Sequence, residues 1–242
     1  MLQSTVFKKL IYHFTNFYYR AEVKGFENIP KERCLFVANH NLGFFWNPEI
    51  WILFSRYYLQ NNMPPVFGLA HKIAFKIPLF STFIKSIGAI DANYENALQA
   101  LKERSVIVFP GGSWESYRPS SDKYKIDFKN RNGFARLAKE ANVKIIPIVT
   151  SGAHNGWYIF RRGARIAKFL RLDKLFGIDI FPIGLSFPFG VFIGPIFPFI
   201  PFPTKVRLSI LKPIESNSSV NAISELVKKR MQDELTDLST KY

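Results

Sequence analysis

A single cysteine, Cys34, stands in 242 residues, so no disulfide can form within the chain. That composition agrees with a reducing compartment. Cys34 opens the apolar run Cys34-Leu35-Phe36-Val37-Ala38, which suits a small buried hydrophobe better than a nucleophile. Glycine-rich phosphate signatures are missing too: there is no G-x-G-x-x-G and no Walker loop. Neither a G-x-S-x-G elbow nor a clustered Cys/His metal pattern occurs. A zinc site from His40, His71 and His154 would need three strand ends on one edge, and no carboxylate or thiolate stands beside these histidines in sequence, so no metal is expected. The N-terminus lacks a signal-peptide shape, because charged and polar residues interrupt its apolar ones. Internal repeats and linker-like stretches are absent as well, which predicts one sizeable domain.

Acidic residues are scarce. Eighteen Asp and Glu face 33 Lys and Arg, a formal net charge of +15 that calls for an anionic partner. Phenylalanine is over-used, with 25 copies, and the basic residues sit among apolar stretches such as Val6-Phe7-Lys8-Lys9-Leu10-Ile11-Tyr12. That mixture suits a membrane interface. A nucleic-acid binder would instead gather its cations on a polar face with a few stacking aromatics, so no nucleic acid is expected. Charge is missing altogether from Ile180 to Phe202, a length that could span a bilayer. Five prolines and three glycines inside it would leave backbone groups unpaired in lipid, so the stretch reads as an apolar loop that packs on the domain or dips into one leaflet.

Local patterns divide the rest. Leu2 to Arg20 has helical periodicity, with Val6, Leu10, Phe14 and Phe17 on one face, and could either pack on the domain or lie in a bilayer interface. Short apolar strands are expected at 21–29, 34–38, 66–70, 88–91, 105–109, 143–150 and 204–211. Helices are expected at 48–59, 73–86 (in two pieces), 94–103, 131–142 and 220–238. Strands alternating with helices predict an α/β fold, a largely parallel central sheet flanked by helices, preceded by an amphipathic N-terminal helix.

Chemistry concentrates in three stretches. The first is Val37-Ala38-Asn39-His40, where a buried strand opens into a loop and presents an imidazole suited to general-base work near neutral pH. Taken alone, such a histidine often only satisfies its own hydrogen bonds. The second is Val106-Ile107-Val108-Phe109-Pro110-Gly111-Gly112-Ser113-Trp114-Glu115, a strand running into a double-glycine turn whose N–H groups could meet an oxyanion or phosphate. The third is the strand Ile145-Ile146-Pro147-Ile148-Val149.

In this order, and with Val23-Lys24-Gly25-Phe26-Glu27-Asn28-Ile29-Pro30, Gly88-Ala89-Ile90-Asp91-Ala92-Asn93 and Asn130-Arg131-Asn132-Gly133-Phe134 between and around them, these stretches resemble the glycerolipid acyltransferase superfamily. The likeness covers about Glu22 to Ile214. It is nearest the branch that includes diacylglycerol acyltransferases and phytyl ester synthases. The resemblance implies an acyltransferase-like domain over 21–242 behind a membrane-interface helix at 1–20. It implies a peripheral or monotopic protein on the cytoplasmic face of a membrane, working in glycerolipid or phospholipid synthesis. No bound cofactor is implied; acyl-CoA or an acyl-carrier-protein thioester is the co-substrate, and a lipid or long-chain alcohol is the acceptor.

His40 would be the base that deprotonates the acceptor hydroxyl. The family usually steadies that histidine with an aspartate in H-x4-D, and here Phe45 holds the place. Asn47 is the first candidate to replace it and Glu49 the second. Asparagine could orient the ring but not stabilise an imidazolium by charge, which leaves a weakened or non-catalytic lipid-binding relative as the alternative. Pro110, Gly111, Gly112, Ser113, Glu115, Arg118 and Arg131 are the expected substrate-binding set. Gly112-Ser113-Trp114 and Asn93 stand where phosphate-binding relatives carry arginine, so an acceptor without a phosphate is expected unless Arg118 and Arg131 compensate. Those arginines could equally be surface cations or partners of Glu115 and Asp127, and Glu115 could orient a site group or cap the next turn.

Overall fold

The computed structural model describes residues 4–42, 47–60, 63–195 and 200–240. The chain opens with helix α1 (Thr5–Tyr18), strand β1 (Glu22–Lys24) and strand β2 (Cys34–Ala38). Helix α2 (Pro48–Tyr57), strand β3 (Val66–Ala70), a 3-10 turn at Lys72–Lys76, helix α3 (Pro78–Ser86) and strand β4 (Ala89–Asp91) follow. Next come α4 (Tyr94–Ala100), β5 (Ser105–Val108), the single-turn α5 (Gly112–Ser116), α6 (Gly133–Glu140) and β6 (Lys144–Ser151). The remainder is β7 (Tyr158–Arg161), α7 (Ala164–Phe169), α8 (Leu172–Phe176), β8 (Ile183–Ser186), β9 (Gly190–Ile193), β10 (Arg207–Ile210) and α9 (Val220–Ser239).

Seven strands form the main sheet in the order β1-β10-β6-β2-β5-β3-β4. Every pairing is parallel except β10 with β6. The predicted largely parallel α/β architecture is therefore the observed one. β2 lies at its heart, with Val37 opposite Val108 of β5 and Pro147 of β6. All five β2 residues are buried, as both faces of a helix-covered parallel sheet require. Cys34, Phe36 and Ala38 join one core; Leu35 and Val37 join the other, built with α6 and α9. The period-2 alternation of the strand thus sorts its side chains between two apolar layers.

Three neighbouring strands, β2, β5 and β6, end together on one edge of the sheet. That convergence brings His40, the Pro110–Gly112 turn and the segment after Ser151 side by side, at the carboxyl edge where open α/β sheets present ligand sites.

Two local expectations change. The 180–202 stretch, read as an irregular loop, supplies β8 and β9, which join β7 in a separate antiparallel sheet in the order β7-β8-β9. The N-terminal helix also packs on α2 with the face opposite to the one its periodicity marks. Val6, Leu10, Phe14 and Phe17 point outward, with Phe17 86 % exposed, while Phe7, Ile11 and Thr15 lie on the inward side. Arg56 of α2 pins the helix by bonds to the Thr15 and Asn16 side chains and the Ala21 carbonyl. Among the described residues, no helix is long and apolar enough to cross a membrane. Phe45 and the neighbouring 43–46 loop, residues 1–3 of the expected first helix, and residues 196–199 of the apolar stretch lie outside the described residues.

Candidate active site

His40 sits two residues beyond the end of β2, directly after Asn39. Asn39 extends the β2–β6 contact by side chain: its amide donates to the Thr150 carbonyl at 3.0 Å and its oxygen accepts from the Thr150 N–H at 2.7 Å. The His40 ring stacks obliquely on Phe109, with ring centres 4.8 Å apart, and keeps 16 % of its side chain open to solvent.

The imidazole Nδ1 lies 2.8 Å from Oε1 of Glu49, in the first turn of α2. The same oxygen accepts the Asn41 N–H at 3.1 Å. The side chain steadying His40 is therefore Glu49 and not Asn47, the first choice from sequence. Asn47 precedes Pro48 at the start of α2, where its side chain makes no capping bond. The physical reason is the helix start: Pro48 favours the first helical turn, and that turn carries the next side chain, Glu49, back toward the strand end. A neutral ring that donates from Nδ1 to this carboxylate leaves the Nε2 lone pair to accept a proton. Unlike asparagine, the carboxylate also stabilises the imidazolium that results.

Behind the ring, the backbone of His40 is gripped from both sides. Its N–H donates to Oε2 of Glu115 at 3.0 Å, and its carbonyl accepts from Arg118 Nη1 at 2.8 Å. Glu115 Oε1 takes the Asp127 N–H at 3.2 Å. Arg118 also donates to the Glu115 carbonyl, to Oδ1 of Asn41 and to the Lys123 carbonyl. Both side chains are completely buried. Burial pushes the Glu115 carboxyl up to about 7, against the pull of Arg118 and the two N–H donors. Burial likewise lowers the Arg118 guanidinium from its ordinary value, with Glu115 and Glu49 opposing. Neither residue is placed to bind substrate. Their polar atoms are turned inward onto backbone and side chains, which corrects the substrate-binding expectation for Glu115 and Arg118 and makes them supports of the His40 loop.

The double-glycine turn is shaped by the same strut. A Cβ on Gly111 would stand 2.3 Å from Glu115 Cβ and 2.5 Å from its Oε2, so only glycine fits. The Gly112 N–H closes the turn on the Phe109 carbonyl at 3.0 Å and is not left for an oxyanion. Ser113 Oγ donates to Oδ1 of Asp179 at 3.2 Å. Arg131 donates to the Pro110 and Gly111 carbonyls, both at 3.1 Å, and pairs with Asp179 at 3.3 Å, keeping 44 % of its side chain exposed. Lys129 pairs with Asp179 as well. Burial alone would raise the Asp179 carboxyl, but Lys129, Arg131 and the Ser113 hydroxyl together hold it below its ordinary value. Of the expected cations, Arg131 alone remains on the rim.

Three charged residues at this rim went unread in the sequence. Arg162 and Lys129 both lie over the Trp114 ring, at 4.4 and 4.5 Å; Asp179 ties Lys129 to the turn, while Arg162 pairs with Asp127 at 3.0 Å. Asp179 had a faint signal: it is the last charge before the uncharged 180–202 stretch. His154 stays apart from the chemistry. It is fully buried, its Nδ1 lies 3.2 Å from the Asn41 carbonyl, and burial drives its pKa well below the usual imidazole value. His71 caps the 3-10 turn through Ile73 N–H. Among the described residues, no group of three His, Cys, Asp or Glu side chains could hold a metal ion.

A histidine–carboxylate pair at the carboxyl edge of a mostly parallel sheet, beside a Pro-Gly-Gly turn, defines the class: the chain belongs to the Acyltransferase family, whose model matches residues 20–151. Among curated relatives it is 30% identical over 191 residues to the chicken (Gallus gallus) DGAT1/2-independent enzyme synthesizing storage lipids, covering 78% of this chain and 55% of that protein. It is 28% identical over 141 residues to the chloroplastic phytyl ester synthase 2 of Arabidopsis thaliana, covering 54% of this chain and 19% of that one. The chain thus spans little more than half the length of the storage-lipid relative. Its fold matches the crystal structure of the 1-acyl-sn-glycerophosphate acyltransferase PlsC from Thermotoga maritima with a TM-score of 0.64 at 19% identity, over 97% of this chain and 80% of that one.

Proposed function

We propose that the protein is a membrane-associated O-acyltransferase that moves a fatty acyl group from an acyl thioester, acyl-CoA or an acyl-carrier protein, to the hydroxyl of a glycerolipid or long-chain alcohol. The observation that carries this reading is the 2.8 Å contact between His40 Nδ1 and Glu49 Oε1 at the end of β2. Nε2 of His40 accepts the acceptor's hydroxyl proton as its oxygen attacks the thioester carbonyl. The tetrahedral intermediate then expels the thiolate, which takes up the proton. Glu49 holds the ring and tautomer and offsets the transient imidazolium charge.

An uncharged acceptor is favoured by the fate of the cations. Arg118 is enclosed and Arg131 is already committed to two carbonyls and Asp179. Asn93, standing where related sequences carry an arginine, caps α4 by accepting the Asn96 N–H. Membrane association at a cytoplasmic leaflet is supported by the net charge of +15 and by the outward apolar stripe of α1, flanked by the exposed Lys9 and Arg20. The weakened or non-catalytic alternative was motivated by Asn47 in place of the family's aspartate, and the Glu49 contact favours the catalytic reading over it.

The test is purified protein incubated with radiolabelled acyl-CoA and a panel of lysophosphatidate, diacylglycerol and long-chain alcohol acceptors. Transfer to the uncharged acceptors, abolished in His40→Ala, is the expected result. Turnover that survives the substitution overturns the base assignment.

A further inference from the structure

The three-stranded sheet has an unusual outer face. Antiparallel sheets that pack one side on a core normally alternate apolar inward with polar outward. Here the inward side is filled by Ile159 and Phe192, both buried in the main core. The outward side is apolar as well. Tyr158, Leu185 and Val191 stand in one cross-strand row; Ile193 and half-buried Ile183 form the next, which ends on Arg161 across a β-bulge, with exposed Phe160 beside it. Phe189 at the β8–β9 turn is 60 % exposed, and Val191 and Ile193 are 62 % and 61 % exposed. A contiguous apolar face of this kind is a contact surface awaiting an occupant.

Charge decides which occupant. Residues 158–193 carry six Lys and Arg against two Asp, and Arg161 of β7 with Arg165, Lys168, Arg171 and Lys174, from the α7–α8 segment that joins β7 to β8, are all exposed. An apolar face accompanied by an excess of cations matches an anionic leaflet, whose acyl region takes the apolar side chains and whose headgroups take the charges. The face also borders the active-site loop. Phe187 pairs with Ile200, and Phe202 N–H bonds the Gly156 carbonyl at 2.9 Å. A Cβ on Gly156 would lie 2.8 Å from Pro201 and 3.3 Å from Leu42, two residues beyond His40.

The geometry points to the outer face of β7-β8-β9 as a surface that enters the acyl region of an anionic leaflet, alongside the N-terminal helix, with its lysines and arginines at headgroup level. The inference rests on the acyltransferase reading for the choice of a lipid occupant over a protein one.

Two measurements test it. In flotation with phosphatidylcholine vesicles, with or without phosphatidylglycerol, the triple variant Leu185→Thr/Val191→Thr/Ile193→Thr keeps strand-compatible side chains. It is expected to lose about tenfold or more in binding to phosphatidylglycerol vesicles, the equivalent of about 1.4 kcal/mol. Turnover of a short-chain acyl-CoA with a water-soluble alcohol is expected to stay at the wild-type rate. Should the triple variant fail to fold, a dye placed by Phe189→Cys gives the answer. Burial pushes the native Cys34 thiol up to about 12, so the new cysteine labels selectively. Its emission should shift to the blue on phosphatidylglycerol vesicles, while a dye at Lys229→Cys on α9 should not shift. Equal flotation of a folded triple variant, or no shift at position 189, overturns the proposal. So does self-association abolished by the triple substitution with vesicle binding unchanged, which would make a second copy the occupant. Vesicle binding as expected, with no turnover of any acceptor, would instead overturn the catalytic reading and leave this one standing.

Discussion

Glu49 is nine residues from His40 in sequence and 2.8 Å from it in space. If the carboxylate holds the tautomer and offsets the imidazolium, Glu49→Gln should keep the fold and lower kcat by about 10²–10⁴-fold, with KM little changed. Asn47→Asp, which would rescue a site built on asparagine, should bring no gain in kcat; steady-state kinetics of both variants check this. Glu115 makes a second prediction, on stability. Its folded carboxyl titrates near 7, above the ordinary carboxylate value, because burial disfavours the charge. An acid raised in this way contributes stability that is fully present below the unfolded value and is lost as pH rises through the folded one. Denaturant unfolding should therefore show wild type losing stability relative to Glu115→Gln between about pH 4.5 and 7, at about 1.4 kcal/mol per pH unit at most. His154 works in the opposite direction. It is held neutral in the fold, so its contribution is lost as pH falls below the ordinary imidazole value. Comparison with the Glu115 variant cancels that part.

Single elements matter through the faces they bury. α9 lays Ile223, Val227, Met231, Leu235 and Leu238 against β6, at spacings of four, four, four and three that keep one stripe inward. Met231 is completely buried, and Met231→Ala should cost about 2–5 kcal/mol in unfolding free energy without changing KM. The ends of β2 and β6 are coupled differently, by the paired bonds between Asn39 and the Thr150 backbone. Asn39→Ala leaves a buried N–H and C=O unpaired, so it should cost about 2–4 kcal/mol and disturb His40 at the same time. A fall in both Tm and kcat, larger for kcat than Met231→Ala produces at equal Tm, is the expected signature. For α1, the outward side chains rule out a purely internal role as packing element: Leu10→Ser/Phe17→Ser should leave Tm nearly unchanged while weakening flotation with vesicles.

At the scale of the whole molecule, two apolar layers enclose a seven-stranded sheet, and among the described residues the buried Glu49, Glu115 and Arg118 gather at the edge where β2, β5 and β6 end. Glu115 and Arg118 are both fully buried and hold the His40 N–H and carbonyl from two sides. Removing the guanidinium leaves the buried His40, Glu115 and Lys123 carbonyls and Asn41 Oδ1 without this donor, so Arg118→Met should destabilise by about 3–5 kcal/mol. The net charge of +15 acts at longer range. Binding to phosphatidylglycerol vesicles should weaken as salt rises and the Debye length falls from about 10 Å at 0.1 M to about 3 Å at 1 M, leaving the apolar contribution.

Much of this was legible before any coordinates. Periods of 3.6 and 2 are local properties of a chain, so the alternating helices and buried strands, and the imidazole at the end of 34–38, followed from the residues alone. The order of the motifs carried the family. What tertiary structure decided were the contacts between segments that no local pattern links. Glu49 reaches His40 because a helix start turns it back. Arg118 is enclosed because three carbonyls and Asn41 converge on it, though a lone arginine in sequence looks like a surface cation. β8 and β9 escaped notice because both of their faces are apolar. Without alternation they carry no strand period, and only folding sorted one face to the core and left the other outside.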